Sequence, residues 1–199
     1  MDLRTPTRRC EWGDVSQVRI VLVRHGRPDG AWGNDPDPGL DSRGHDQAAA
    51  VAAVLAPLGP LPVIVSPLRR TRETAAPLLE RWGIEPRIEP GVGELAAPPD
   101  VQPDHATWLH TLMTGVGADH PAVMDPLRAR VLGAIRAIRT DAIVFTHFLA
   151  INVVVGAATD DDRVVCFAPA HCSRTVVEID GDTLRIVELG AQGAGAARV

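Results

Sequence analysis

The sequence contains no lysine and no tyrosine, and all 20 of its basic residues are arginine. A lysine Schiff base and the phosphate-binding lysine of a P-loop are therefore both excluded. The basic residues form no block and the formal net charge is −5, which disfavours a nucleic-acid-binding surface. We accordingly expect no nucleic acid among the partners of this chain.

Cysteine is also scarce. The three cysteines, Cys10, Cys166 and Cys172, do not form a disulfide framework. Cys166, His171 and Cys172 do not have the spacing of a standard zinc site either, and His171 is instead a candidate to reach the mouth of a pocket. We expect buried, reduced thiols. Because the polar residues 1–17 lack a secretory pattern, we also expect a cytoplasmic protein.

Long hydrophobic runs are missing as well. The longest covers residues 142–158, which is short for a membrane span and contains His147 and Asn152. We predict a buried strand that passes into a buried helix, with Asn152 bonding a nearby loop, and no membrane partner. The composition is globular, 45% hydrophobic and 23% charged, and the length suits one α/β domain.

The periodicity of apolar residues and the turn residues predict the order of elements. We expect one domain at residues 18–190, a flexible N-terminal arm at 1–17 and a flexible tail at 191–199. Ser66 is predicted to cap the second helix, and Asp41 or Ser42 the first. Strands are predicted from 18 to the Arg24-His25 pair and at 63–65, 86–89 and 141–146. Helices are predicted at about 41–58, 68–82, 104–116 and 125–140. A hairpin is predicted at 174–179 and 184–189.

Three of the predicted strands end in charged or nucleophilic residues. The first ends in Arg24 and His25, the second leads through Ser66 to Arg70, and the third core strand ends at His147. In a mostly parallel sheet these carboxyl ends lie at one edge, where α/β proteins bind ligands. A fourth segment ends near Glu94. We therefore expect the two arginines, the two histidines and this carboxyl group to meet in one pocket.

These side chains suit phosphoryl chemistry. Arginine offers planar donors that match phosphate oxygens, and a neutral imidazole can attack phosphorus to form a covalent intermediate. His25 is the candidate nucleophile. Glu94, which follows the edge strand, is the candidate acid that protonates the leaving oxygen and then activates water.

The sequence also contains alternatives to these assignments. Arg69 is the alternative to Arg70 as a phosphate ligand. Glu89 or Asp100 could replace Glu94 as the acid. Taken singly, the two strand-end histidines are also compatible with structural roles in the core.

Four ordered segments add a family resemblance. They are Arg24-His25-Gly26, the segment 40–48 (Leu-Asp-Ser-Arg-Gly-His-Asp-Gln-Ala), the segment 66–75 (Ser-Pro-Leu-Arg-Arg-Thr-Arg-Glu-Thr-Ala) and the strand 144–147. Their residues, order and spacing resemble those of the histidine phosphatase superfamily, the phosphoglycerate-mutase-like proteins. The resemblance implies an α/β fold, a three-layer α/β/α sandwich with a mostly parallel central sheet.

The resemblance also implies roles for individual residues. His25 resembles the phosphorylated histidine, Arg24 and Arg70 the phosphate-binding arginines, His147 the second phosphate-contacting histidine and Glu94 the general acid. The implied activity is that of a phosphoric monoester hydrolase of the histidine acid/base phosphatase type. Such an enzyme hydrolyses a small phosphorylated molecule through a phosphohistidine, without a metal or other cofactor.

Two alternatives to a phosphatase remain on the same fold. One is a phosphoglycerate-type mutase, although members of that branch typically have a longer chain than this one. The other is a module of low activity that binds a phosphorylated ligand or a protein. The oligomeric state is left open, and a dimer is compatible with the sequence.

The sequence departs from the family's pattern at three places. Arg27 stands where the family usually has Glu or Gln, and Phe148 stands where glycine usually follows the second histidine. The segment 95–99 replaces a Gly-rich or Trp-containing stretch. Arg27 could contact a more anionic substrate or point to solvent. Phe148 is expected to narrow or reshape the pocket and is also a candidate substrate contact.

Overall fold

A computed structural model of the chain describes residues 17–30, 35, 37–95 and 105–193, apart from the side chains of residues 105 and 106. Residues 1–16 of the predicted arm, residues 194–199 of the predicted tail and Asp100 lie outside these ranges. Residues 191–193 continue the described chain, where Ala170 N donates to Ala191 O at 2.8 Å.

In the described part of the chain, six strands form one sheet in the order β3-β2-β4-β1-β5-β6. The first four of these run parallel to one another, and β5 and β6 are antiparallel to their neighbours. The predicted mostly parallel sheet is thus confirmed. The bounds are β1 Val18–Arg24, β2 Val63–Val65, β3 Arg87–Ile88, β4 Ala142–Thr146, β5 Arg174–Asp180 and β6 Thr183–Glu188.

Helices cover both faces of this sheet, which confirms the three-layer sandwich. Helices α1 and α2 pack on one face, and α3, α4 and α5 pack on the other. The bounds are α1 Ser42–Leu55, α2 Arg69–Trp82, α3 His105–Thr114, α4 Pro121–Arg136 and α5 Phe148–Thr159, with short 3-10 turns at Ala56–Leu58, Pro90–Val92 and Gly117–Asp119.

Strand β1 shows why its sequence is apolar without alternation. Ile20 and Leu22 belong to the core on the side of α4 and α5, whereas Val21 and Val23 belong to the core on the side of α1 and α2. Because successive side chains point to opposite faces and both faces are covered, every central position of the strand must be apolar. The apolar run therefore stops at the carboxyl end of the strand, where the chain leaves the core.

Several predicted boundaries are corrected by the structure. Asp41 caps α1, since its side chain accepts a hydrogen bond from Gly44 N at 2.7 Å. The Ser66 cap of α2 is wrong, because that helix begins at Arg69 after Leu68 and has no side-chain cap. The Ser66 hydroxyl bonds a histidine instead, as described below.

Helix α4 also starts earlier than predicted. It begins at Pro121, so Pro126 lies inside the helix rather than at its start. Proline suits the first turn of a helix, and the extra turn places Met124 in the core with 1% of its surface exposed. The helix ends at Arg136, before the predicted Thr140.

Residues 142–158 form β4 and most of α5, which confirms the prediction of a buried strand passing into a buried helix. Asn152 has the predicted structural role, since its Oδ1 accepts hydrogen bonds from Cys166 N and Phe167 N, both at 3.0 Å. It thereby anchors the loop that precedes β5. Within the described ranges, no helix is long and apolar enough to cross a membrane.

Candidate active site

The carboxyl ends of β1, β2 and β4 bring the predicted side chains together. His25 follows β1 and His147 follows β4, and their ring centroids lie 5.3 Å apart. Arg70, in the first turn of α2, is buried like both histidines, each with 6% or less of its surface exposed. Glu94 enters from the segment after β3, and its Oε2 lies 3.3 Å from the amide nitrogen of Leu149.

The His25 ring is held in one tautomer. Its Nδ1 lies 2.8 Å from the carbonyl oxygen of Gly26. Because a carbonyl only accepts, Nδ1 must carry the proton, and the lone pair of the neutral ring is on Nε2. Burial, and secondarily the charges of Arg24 and Arg70, lower the pKa of His25 well below its usual value. His25 is therefore neutral at neutral pH, with a free electron pair on Nε2.

Backbone packing holds the segment that carries His25. A Cβ on Gly26 would lie 2.7 Å from the carbonyl oxygen of Gly44, and a Cβ on Gly44 would lie 2.2 Å from that of Arg27. Both positions therefore require glycine, which lets α1 touch the loop backbone to backbone. Gly26 N also donates to Thr74 Oγ1 of α2 at 2.9 Å. Two helices thus fix the position of the candidate nucleophile.

His147 lies at the N-terminus of α5 and is fully buried. Its Nε2 forms a 2.8 Å hydrogen bond with Ser66 Oγ. Its Nδ1 is buried and has no hydrogen-bond partner in the described structure. Burial, and then the neighbouring His25, lower the pKa of His147 well below its usual value. An unpaired buried nitrogen is costly, and an anionic ligand could satisfy it.

Two arginines supply positive charge, Arg70, which is buried, and Arg24, which is partly buried. The nearest described carboxylate oxygen to Arg70 Nη1 is Asp37 Oδ1, at 3.9 Å. Arg24 Nη1 donates to Pro169 O at 2.7 Å, its Cζ lies 5.0 Å from the ring centroid of Phe148, and its Nε has no hydrogen-bond partner in the described ranges. Burial lowers the pKa of both groups, that of Arg24 to about 10, so both remain cationic at neutral pH.

The alternative residues lie elsewhere. Arg69 donates to Glu73 at 2.7 Å, and 61% of its side-chain surface is exposed. Glu89 accepts from Gly91 N at 2.9 Å and caps the 3-10 turn before Glu94. The buried guanidinium group is therefore that of the next residue, Arg70.

Glu94 is partly buried and bound by two amides. Its Oε1 accepts from Leu95 N at 3.0 Å, and its Oε2 accepts from Leu149 N. Burial raises the pKa of this carboxyl, although the two amides and the charges of Arg70 and Arg24 act in the opposite direction. A carboxyl of this kind keeps its proton to higher pH than an exposed one.

Sequence reasoning missed the residues that hold the Glu94 segment. Thr146 Oγ1 donates to Val92 O at 2.6 Å. Arg130, on α4, donates to the carbonyl oxygens of Pro90 at 2.7 Å, Gly91 at 3.2 Å, Gly93 at 3.3 Å and Glu94 at 3.3 Å. Both side chains bond to main-chain oxygens, so no pairing of residue types in the sequence could have revealed them.

Two residues that depart from the family's pattern, Arg27 and Phe148, have contacts that the structure shows. Arg27 forms an ion pair with Asp41, the N-cap of α1, and 47% of its side-chain surface is exposed. Phe148 packs its ring against the Arg24 guanidinium. Of the third departure, residues 96–99 lie outside the described structure.

His171, named above as a candidate for the pocket mouth, reaches the site. Its ring centroid lies 5.7 Å from that of His25. Burial, and then the charges of Arg24 and Arg27, lower its pKa to about 4. In the described parts of the chain, no three His, Cys, Asp or Glu side chains are grouped so that they could hold a metal ion.

Comparison with sequence families and curated proteins gives partial but consistent matches. The model of the histidine phosphatase superfamily (branch 1) matches residues 20–192. Glucosyl-3-phosphoglycerate phosphatase of Mycobacterium tuberculosis is 39% identical over 75 residues, which are 36% of this chain and 34% of that protein. The PE-PGRS family protein PE_PGRS11 of the same organism is 42% identical over 91 residues, 43% of this chain and 16% of that protein. The matches thus span about a third or less of either relative.

Solved structures share the fold over most of the chain. A mycobacterial glucosyl-3-phosphoglycerate phosphatase in complex with VO3 has a TM-score of 0.67 at 22% identity and covers 88% of this chain and 100% of its own. YhfR of Bacillus stearothermophilus has a TM-score of 0.72 at 18% identity and covers 88% of this chain and 98% of its own. The family match over residues 20–192 and this shared fold show that the chain belongs to branch 1 of the histidine phosphatase superfamily.

Proposed function

We propose that the chain is a phosphomonoesterase that works through a phosphohistidine formed on His25. The observation that carries this proposal is the tautomer of that ring, whose free electron pair is on Nε2 because Nδ1 is bonded to Gly26 O at 2.8 Å. The positive charges of Arg24 and Arg70 are close enough to help lower the pKa of this ring. The family's phosphatases, and the phosphate-ester substrates in their names, support a small phosphorylated molecule as the substrate.

In the first half-reaction, Nε2 of His25 attacks the phosphorus atom and the ester P–O bond breaks. Arg24 and Arg70 neutralise the charge on the non-bridging oxygens, as positioning and charge neutralisation dominate phosphoryl transfer. His147 contacts the same oxygens in this mechanism, and its support is a buried Nδ1 that has no hydrogen-bond partner in the described structure. Glu94 gives its proton to the departing oxygen, so that the alcohol leaves neutral and Glu94 becomes a carboxylate.

In the second half-reaction, the Glu94 carboxylate takes a proton from a water molecule as that water attacks the phosphohistidine. The P–N bond breaks, inorganic phosphate forms, and His25 returns to its neutral form. The raised pKa of Glu94 supports both duties, since a group that starts protonated can act as acid first and as base afterwards.

The proposal is tested by replacing His25. The wild type is expected to hydrolyse p-nitrophenyl phosphate in the presence of a chelator and to form an acid-labile phosphoenzyme in a rapid-quench experiment. His25→Ala should lose both the turnover and the label. The matched control is His45→Ala, whose side chain is 58% exposed and which should behave as the wild type does. Full activity in His25→Ala would contradict the mechanism.

Glu94 has its own test. Glu94→Gln should slow the hydrolysis of an alkyl phosphate by about 10²–10⁴-fold, the usual contribution of a general acid, and that of p-nitrophenyl phosphate much less. The p-nitrophenolate ion leaves without help from a proton, so an equal loss on both esters would contradict the assignment.

Product analysis of the wild type separates hydrolysis from a mutase, which would return an isomerised ester without free phosphate.

A further inference from the structure

The proposed mechanism leaves one residue of the site without a role. His171 lies beside the nucleophile, with its ring centroid 5.7 Å from that of His25 and the two planes tilted by 48°. The ring of His147 is 5.3 Å from His25. His25 therefore contacts two imidazoles, and only one of them belongs to the motifs that resemble the family.

The turn that bears His171 is fixed to the strand end that carries the nucleophile. Arg24 makes three hydrogen bonds to it: Cys172 N donates to Arg24 O at 3.0 Å, Arg24 N donates to Ser173 O at 3.3 Å, and Arg24 Nη1 donates to Pro169 O at 2.7 Å. Cys172 adopts a φ of 56°, a left-handed conformation that is uncommon outside glycine. Such a conformation persists where the surrounding structure determines the turn, so the place of His171 is built into the fold.

The ring nitrogens of His171 are available to a ligand. Within the described structure neither forms a hydrogen bond or an ion pair, and the residue is only partly buried. Because its pKa is lowered to about 4, the ring is neutral at neutral pH. A neutral imidazole offers one donor and one acceptor, which is also what a hydroxyl group offers.

The phosphate oxygens already have other partners. Arg24 and Arg70 provide charge for a dianion, and His147 provides a second ring. A neutral side chain adds little to the binding of a dianion but can select among organic groups, because a site built to bond a hydroxyl discriminates against an ester that lacks one.

We propose that His171 is a specificity-determining residue, whose imidazole hydrogen-bonds a hydroxyl group on the organic part of the phosphoester. The substrate class is accordingly a hydroxylated ester, such as a polyol phosphate or a sugar phosphate. This inference rests on the proposed function, since it assigns the residue that recognises the leaving group of the same reaction.

The test compares kcat/KM for hydroxylated and unhydroxylated esters. The variants are His171→Ala, His171→Asn and His171→Gln, and the substrates are glycerol 3-phosphate, glucose 6-phosphate and phenyl phosphate. His171→Ala should lose about tenfold on at least one hydroxylated ester, the usual effect of one hydrogen bond, and less than about twofold on phenyl phosphate. The Asn or the Gln variant, which keeps a donor and an acceptor, should recover most of that loss.

Two controls separate recognition of the organic group from damage to the site. Inhibition by inorganic phosphate should be unchanged in His171→Ala, and His45→Ala, whose side chain is 58% exposed, should match the wild type on every ester. An equal loss on all three esters with weaker phosphate inhibition would overturn the inference and make His171 a phosphate ligand.

Failure of the inference is distinguishable from failure of the proposed function. A wild type that hydrolyses phenyl phosphate but neither hydroxylated ester would overturn the role of His171 and leave the phosphatase standing. The same follows if His171→Ala retains its full preference between the esters. A wild type that hydrolyses none of the three would overturn the proposed function, and the inference with it.

Discussion

Removal of Arg130 should weaken the action of Glu94 without disturbing the nucleophile. The guanidinium group of Arg130 donates to four carbonyl oxygens at distances of 2.7 to 3.3 Å, all in the turn that ends at Glu94. Arg130→Ala removes all of these contacts at once. The turn would keep the bond from Thr146 Oγ1 to Val92 O at 2.6 Å and the bond from Leu149 N to Glu94 Oε2 at 3.3 Å.

These contacts set the size of the effect. A hydrogen bond from a charged donor contributes about 1.5–3 kcal/mol, and partly exposed ones lie at or below the low end of that range. Two anchors of the turn remain in this variant. We therefore expect the poorer placement of Glu94 to raise the activation barrier by roughly the energy of one such hydrogen bond, which slows the reaction about tenfold. The upper limit is the complete loss of a general acid, about 10²–10⁴-fold.

The assay is the ratio of kcat/KM for an alkyl phosphate to kcat/KM for p-nitrophenyl phosphate. In Arg130→Ala this ratio should fall about tenfold, and the phosphoenzyme should still form from p-nitrophenyl phosphate. Arg130→Lys should recover only part of the loss, because an ammonium group cannot span several carbonyls as a planar guanidinium does.

The matched control is Arg128→Ala, on the same helix, because Arg128 bonds Asp162 instead of the Glu94 segment. It should leave the ratio unchanged. Equal losses on both esters in Arg130→Ala would refute the positioning role, as would no loss at all.

Two further predictions concern packing and protonation. Gly44→Ala should lower the free energy of unfolding by about 1–3 kcal/mol, because its Cβ would lie 2.2 Å from a backbone oxygen. Gly133→Ala should raise the free energy of unfolding by up to about 1 kcal/mol, because its Cβ would meet no atom within 4 Å. Urea denaturation measures both, and a change of the same sign in the two variants would contradict this packing. The free energy of unfolding should also fall as the pH drops below about 6.5, since His25 and His147 stay neutral in the fold while the unfolded chain takes up protons. A wild type whose unfolding free energy is constant from about pH 7 to pH 5 would rule out this linkage.

The parts of the site that could be predicted are those that follow from strand ends. Because β1 is covered on both faces, its apolar run marks the strand, and Arg24 marks the place where it leaves the core. The rule that carboxyl ends of parallel strands share an edge then brings His25 and His147 together from positions 122 residues apart. The placement of Arg70 follows in the same way from the short apolar run of β2.

The parts that could not be predicted depend on contacts between distant segments. Ser66 obeys the local rule for a helix cap in the sequence, yet its hydroxyl lies 2.8 Å from Nε2 of His147, 81 residues away. Arg130 and Thr74 act on main-chain groups, which every residue type carries, so no spacing in the sequence distinguishes their partners. Helix α4 starts earlier than predicted because Met124 packs into a core that exists only once the sheet has formed.

Gly26 connects backbone packing to the chemistry of the site. Its carbonyl fixes the tautomer of His25, and its amide is held by Thr74 of α2 at 2.9 Å. Any side chain at this position would meet the carbonyl of Gly44, 2.7 Å from an ideal Cβ. The backbone would then have to shift, and the acceptor that keeps the proton on Nδ1 would move with it. The glycine beside the candidate nucleophile is therefore required by the close approach of α1, and the electron pair on Nε2 depends on that approach.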